Sequence, residues 1–442
     1  MPDVMDLGTW QARFDQLAAR HRVPGASVAV LAGGEVQALA TGVLNVETGV
    51  EATPDSLFLV GSISKPYTAT LVMGLVGEGA VALDTPVSDI LPQFRLADRE
   101  AAGQVTLRHL LAHTSGIDGD LYHDTGRGDD CLERYVEACA DVPQCHPLGG
   151  AFSYCNAGYV ILGHVIERLT GQVWDTALRE RLLDPAGLRH TWTLPEDALR
   201  FRTAMGHLDR DGRISPAPVW GLPRNGGPAG GICASTTDVA AFAKLHIEAA
   251  TLEFAEMRRP QATVPNPYSL YDGWGLGWAL MDWGRPVFGH AGDTIGQAAA
   301  LRVVPDAGVA IALAANTEKF AAFRRDVFVE LVPEFCDVNE PLPLAPLPVP
   351  VPIEEDRYFG VYERIGSHVE VSRQGERMEI AVTPTGWIAA FEPPRRNELI
   401  HVGDGRFLER HKENWWAPAV FVTLPDGTDL LYLGLRAHRR IG

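Results

Sequence analysis

The sequence predicts an α+β body followed by a small all-β domain, on three observations. Strand-like runs fall at 26–31 and 36–42 and again at 299–304 and 309–314, while helical patterns dominate from about 62 to 182. A sheet whose strands come from both ends of a segment, with helices between, is an α+β or α/β arrangement. A proline-rich stretch then separates this body from a succession of short β-like runs. At 442 residues the chain also exceeds what one hydrophobic core usually serves, so a large domain plus a smaller one is expected.

The elements follow in order. Leu7, Trp10, Phe14 and Leu17 recur at helical spacing, which predicts an opening amphipathic helix that ends before Pro24-Gly25. The runs 26–31 and 36–42 flank Gly33-Gly34 and read as a hairpin. Between 341 and 352 proline falls at almost every second position, removing ladder donors and favouring extended polyproline II. The expected partition is therefore a body over 1–338, a linker over 339–354 and a second domain over 355–442. In that domain 358–363, 368–372, 377–382, 387–391, 398–402 and 419–435 read as strands, the last interrupted by Pro425-Asp426-Gly427. Successive short strands predict a small antiparallel barrel or sandwich.

Composition narrows the function classes. Apolar residues at 46% and charged residues at 21% leave no reason to invoke long disorder. A net charge of −18 repels phosphate backbones and anionic lipid surfaces, so neither nucleic acid nor membrane is an expected partner. No basic stretch followed by an apolar run opens the chain, and no later segment is apolar for a bilayer's width; the expected compartment is the cytoplasm. The six cysteines lack the close pairs of zinc sites and are expected as reduced core thiols. Neither a metal nor a cofactor is expected.

Three short elements can carry chemistry. Lysine occurs only at 65, 244, 319 and 412, while arginine supplies nearly all other positive charge. A general base must be able to lose its proton near neutrality, which a desolvated lysine does and arginine does not. Lys65 follows Ser62 by three residues, one helical turn, so its amine reaches the hydroxyl; Ser64 points elsewhere. Pro66 places both in a first helical turn, where free N–H groups favour a developing anion. Next, Tyr154-Cys155-Asn156 read as extended puts a phenol and an amide on one side, the first to relay a proton, the second to hold a substrate carbonyl. Finally, the glycines flanking His290 in Gly289-His290-Ala291-Gly292-Asp293 let backbone approach a ligand closely. Taken singly, each also reads as ordinary structure: a solvated lysine, a packed tyrosine, a turn histidine.

In this order, Ser62-Ile-Ser-Lys65, Tyr154-Cys-Asn156 and His290-Ala-Gly292 resemble the three signatures of the serine β-lactamase-like superfamily, which holds class C β-lactamases, penicillin-binding proteins and CubicO-type proteins. Leu110-Leu-Ala-His-Thr-Ser-Gly116, Pro228-Ala-Gly-Gly231 and Gly275-Leu-Gly-Trp278 are similar to further segments of that family, and the resemblance spans roughly 10 to 335. It implies a β-lactamase/transpeptidase-like fold, an α/β sandwich with a helical subdomain and Ser62 in the cleft between them. It also implies roles. Ser62 attacks an acyl carbonyl, Lys65 and Tyr154 share proton transfer, Asn156 orients substrate, and the N–H groups of Ser62 and Asp293 form the oxyanion hole.

Class C β-lactamases and most DD-peptidases carry Lys-Thr-Gly where this chain has His-Ala-Gly, and that departure weakens the case for β-lactam hydrolysis. Relatives with histidine there include D-stereospecific aminopeptidases and amidases, esterases, and thioesterases of the penicillin-binding-protein type that cyclise nonribosomal peptides. Several carry a C-terminal lipocalin-like barrel, which the region after Pro352 matches in pattern. The sequence thus points to a serine hydrolase or acyltransferase acting on small amides, esters or peptides, with D-configured residues the expected preference. Macrocyclisation of a peptide is the nearer alternative, a catalytically silent binding or assembly module the more distant one. Gly292 and Arg436 are further candidates, the latter to meet a substrate carboxylate. The expected partner is a small-molecule or peptide substrate, with a homo-oligomer left open.

Overall fold

The computed structural model describes residues 5–248, 252–265, 271–342, 344–347, 355–375, 377–390, 392–411 and 416–442. The opening helix, Leu7–Arg20, forms as expected: Asp6 caps it by accepting from Gly8 N and Thr9 N, and Trp10, Phe14, Leu17 and Ala18 are buried. The strands Gly25–Ala32 and Glu35–Gly42 then pair antiparallel along their whole length. Gly33 and Gly34 between them take φ of 57° and 81°, a turn conformation that a side chain would oppose.

The first of these strands pairs on its other edge with Val309–Ala315, which pairs with Gln297–Val304, which pairs with Pro286–Thr294. The two ends of the body thereby meet in one eight-stranded sheet. Gly25–Ala32, Gln297–Val304 and Val309–Ala315 are buried at every position, which explains their largely apolar runs, interrupted only by Ser27, Gln297 and Arg302. Leu7–Arg20 and Phe320–Cys336 share one core with the sheet, while Thr236–Glu248 packs on it in the other. That second core extends into the helical part, where Ser64–Gly77 and Asn156–Thr170 are buried on most sides.

Beyond residue 355, Gly360–Arg364, Ser367–Gln374, Arg377–Pro384, Arg395–Gly403, Arg406–Arg410, Trp416–Thr423, Asp429–Leu433 and Arg436–Arg440 form a closed antiparallel barrel. Its last strand pairs back onto its first at Tyr362↔Arg440, which leaves no open edge. Two expectations need correction here. Residues 387–390 lie in a 3₁₀ helix, Gly386–Ala390, rather than a strand, and Phe391 lies outside the described residues. Arg406–Arg410, not anticipated, supplies a strand instead. Of the proline-rich stretch, 343 and 348–354 lie outside the described residues. All six cysteines are free and buried. No helix among the described residues is long and apolar enough to cross a membrane.

Candidate active site

Ser62 occupies the middle of a 3₁₀ turn, Gly61–Ile63, that runs directly into the helix Ser64–Gly77. Side chains three apart eclipse in such a turn, so Lys65 returns over Ser62. Its Nζ is hydrogen-bonded to Ser62 Oγ at 3.0 Å and donates to the Ala229 carbonyl at 2.6 Å. Pro66 falls in the first turn of the helix, where its missing N–H leaves no bond unmade. Ser64 faces away: its hydroxyl donates to Gly61 O and accepts from Ile232 N, fixing the turn.

Lys65 is fully buried. Burial first, then the Arg436 guanidinium, push its pKa well below the usual lysine value, and Asp120 and Cys155 push back less. The Tyr154 ring lies 4.7 Å from Nζ and the Tyr159 ring 5.6 Å. Burial also drives the Tyr154 phenol far up, opposed by a side-chain interaction with Ser62, while its hydroxyl completes no hydrogen bond of regular geometry. The result is a hydroxyl on a cleft floor, an amine at its side whose hold on its proton is weakened, and a protonated phenol above both.

Two glycines let the Ser62 turn press against the strand Pro286–Thr294. A Cβ at Gly292 would fall 2.1 Å from Val60 O and 2.4 Å from Ser62 N; one at Gly61, φ 53°, would fall 2.6 Å from Asp293 N. The main chain around Ser62 and around Asp293 therefore runs in close contact beside the cleft. His290 lies in the middle of that strand rather than in a turn. It is buried, its Nδ1 bonds the Ala291 carbonyl at 2.6 Å, and its Nε2 has no partner. Burial and the nearby Lys65 hold its pKa down at about 3, so the imidazole is neutral.

Tyr154 and Asn156 both line the cleft, but not as alternate residues of a strand. Asn156 opens the helix Asn156–Thr170 and Cys155 is its cap, accepting from Gly158 N through sulfur. One hydrogen of Asn156 Nδ2 is already committed to Asp120 Oδ1 at 2.8 Å. Arg436, which opens the last barrel strand, donates Nε to Asp120 Oδ2 at 2.6 Å.

The cleft has a volume of about 480 Å³. Ser62, Tyr154, Asn156, His290, Gly292, Asp293 and Arg436 all line it, with Lys65 just beneath. Sequence reasoning missed Asp120, the Ala229 carbonyl and the rim, where Tyr122 stacks on Trp387 of the barrel with ring centroids 4.8 Å apart. The Pro228-Ala-Gly-Gly231 segment was the one available signal for Ala229.

Fold and cleft together define a serine hydrolase of the β-lactamase/transpeptidase type. The chain belongs to the beta-lactamase family, whose model matches residues 10–332. Penicillin-binding protein 4 of Amycolatopsis lactamdurans is 49% identical over 375 residues, covering 82% of this chain and 98% of that protein. The crystal structure of SurE matches over 98% of both chains at 30% identity with a TM-score of 0.81, and SurE with D-Leu matches at 0.79. The D-amino acid amidase of Ochrobactrum anthropi matches over 71% of this chain and 91% of its own, at 26% identity and a TM-score of 0.59.

Proposed function

We propose that the protein is a serine acyl-transfer hydrolase that forms an acyl-enzyme on Ser62 with small amides, esters or peptides whose acyl residue is D-configured. The observation that carries this reading is the buried Lys65 amine, its pKa pushed well below the usual lysine value, 3.0 Å from Ser62 Oγ at the floor of the cleft. Lys65 takes the Ser62 proton as Oγ bonds to the acyl carbon, and the carbonyl oxygen gathers charge beside the N–H groups of Ser62 and Asp293. Tyr154 passes a proton to the leaving group as the carbon–heteroatom bond breaks. Water then attacks the ester, and the same groups act in reverse to free the acid and the serine. Asn156 and His290 orient the substrate, Gly292 lines the cleft where the Ser62 turn packs against its strand, and Arg436 meets a carboxylate. The D-preference draws support from the likeness to D-amino acid amidase and to SurE with D-Leu.

A second reading keeps the acyl-enzyme and replaces water with a peptide amine, giving a macrocycle. What favours it is that Trp387, Leu435 and Arg436 of the barrel wall the cleft, since limiting water access favours an amine already held nearby. The deciding experiment offers a D-aminoacyl amide and a linear peptidyl thioester ending in a D-residue, with products weighed by mass spectrometry. Free acid from both supports the hydrolase; a thioester product lighter than its acid by one water replaces it with the cyclase.

His290, neutral where β-lactamases place a cationic lysine, has a measurable consequence. Nitrocefin is expected to acylate slowly and turn over at least about a hundredfold more slowly than a preferred amide or ester. In His290→Lys, preference is expected to move toward carboxylate-bearing substrates. Nitrocefin turnover as fast as the best ester, or no shift in the variant, contradicts the role given to His290.

A further inference from the structure

Asp120 is the most heavily engaged carboxylate next to the cleft, and its partners come from two parts of the fold. Arg364 Nη1 and Arg436 Nε, both from the barrel, donate to its Oδ2 at 2.5 and 2.6 Å, and Asn156 Nδ2 donates to its Oδ1. The carboxylate side chain is 2% exposed, the Arg364 side chain 12%. Burial alone raises a carboxyl pKa, but the two guanidiniums outweigh it and hold Asp120 well below the usual range. Around this triad the barrel also grips the Tyr154 segment and the neighbouring Asp118. Tyr154 N donates to Leu435 O, Ala437 N to Ser153 Oγ, Tyr432 OH to Phe152 O, and Ile365 N to Asp118.

The same charges surround the amine at the centre of the site. Lys65 feels Arg436 and Asp120 with opposite signs, alongside Cys155, Tyr154, Tyr159, His113 and His290. Arg436 and Lys65 lie against one ring, that of Tyr154, at 5.2 and 4.7 Å from its centroid. We propose that the barrel is a working part of the acylation machinery: the Arg364–Asp120–Arg436 triad, closed across the joint, fixes the Asn156 amide and balances the charge seen by Lys65. Asp120 and Arg364 are positioning residues in this account, which rests on reading Lys65 as the base.

The experiment uses the full chain and p-nitrophenyl acetate, whose lack of a carboxylate removes any substrate-binding part for Arg436. Activity rises with pH as Lys65 loses its proton, so the acid limb of kcat/KM reports the field at Lys65. In Arg436→Gln the uncompensated Asp120 stabilises the ammonium, and the limb is expected to move to higher pH. In Asp120→Asn the opposite charge is lost and the limb moves to lower pH, with kcat also down about tenfold as Asn156 loses its anchor. The double variant returns the limb close to its wild-type position, an outcome that simple loss of packing does not produce. Arg364→Gln, which touches no cleft surface, moves the limb in the direction of Arg436→Gln and keeps the test open if Asp120→Asn fails to fold. Limbs that coincide in all foldable variants overturn the proposal. Ser62→Ala separates the two kinds of failure: if it is inactive while the limbs coincide, the nucleophile stands and the triad alone falls. If it keeps the wild-type rate, the base assignment and the triad fall together.

Discussion

Ser62→Ala is expected to lose turnover by roughly 10⁴-fold or more while melting at the wild-type temperature. The hydroxyl is the only group the substitution removes, and its hydrogen-bond partner Lys65 still donates to the Ala229 carbonyl, so the amine stays anchored. The turn itself is held by Ser64, Gly61 and Gly292, none of which depends on Ser62 Oγ. Steady-state kinetics with a D-aminoacyl ester, paired with a thermal melt, checks both halves. Retained turnover with unchanged melting removes Ser62 from the mechanism.

The second large effect concerns Lys65. Lys65→Arg is expected to be nearly as damaging as Lys65→Ala, each lowering kcat/KM by about 10³-fold. Arginine keeps the positive charge but cannot give up its proton, whereas the site weakens the hold of the lysine amine on its own. Full burial and the neighbouring Arg436 both depress the Lys65 pKa, so the protonated form is the one the fold disfavours. Because the folded pKa lies well below the usual lysine value of 10.5, wild-type activity is expected to rise with pH on a limb well below that value. Pre-steady-state acylation measured across pH gives both quantities. An arginine variant with most of the wild-type rate means that Lys65 supplies charge and not a lone pair.

The parts of the molecule that were legible beforehand are those written in local pattern. The opening helix, the Gly33-Gly34 hairpin and the buried central strands follow from apolar period and glycine alone. Ser62 and Lys65 were readable because three residues on a helical turn fix a distance without knowledge of the fold, and because the Tyr154 and His290 elements follow them in the family's order. Asp120 was not, since one acid among 56 carries no mark of its own, and its importance arises from partners 244 and 316 residues away. Asn156 was found for a reason that the structure corrects: it reaches the cleft from a helix start, with Cys155 as cap, rather than by strand alternation. Trp387 was read inside a strand, but its 3₁₀ helix carries it to the rim against Tyr122, a contact set by how the barrel docks.

The central claim is a covalent acyl-enzyme on Ser62, and intact-protein mass spectrometry tests it most directly. The full chain is treated with a fluorophosphonate, weighed, digested and sequenced. The account predicts one adduct per chain, carried by the peptide containing Ser62, and absent from Ser62→Ala. An adduct on any other residue, or one that persists in Ser62→Ala, contradicts it.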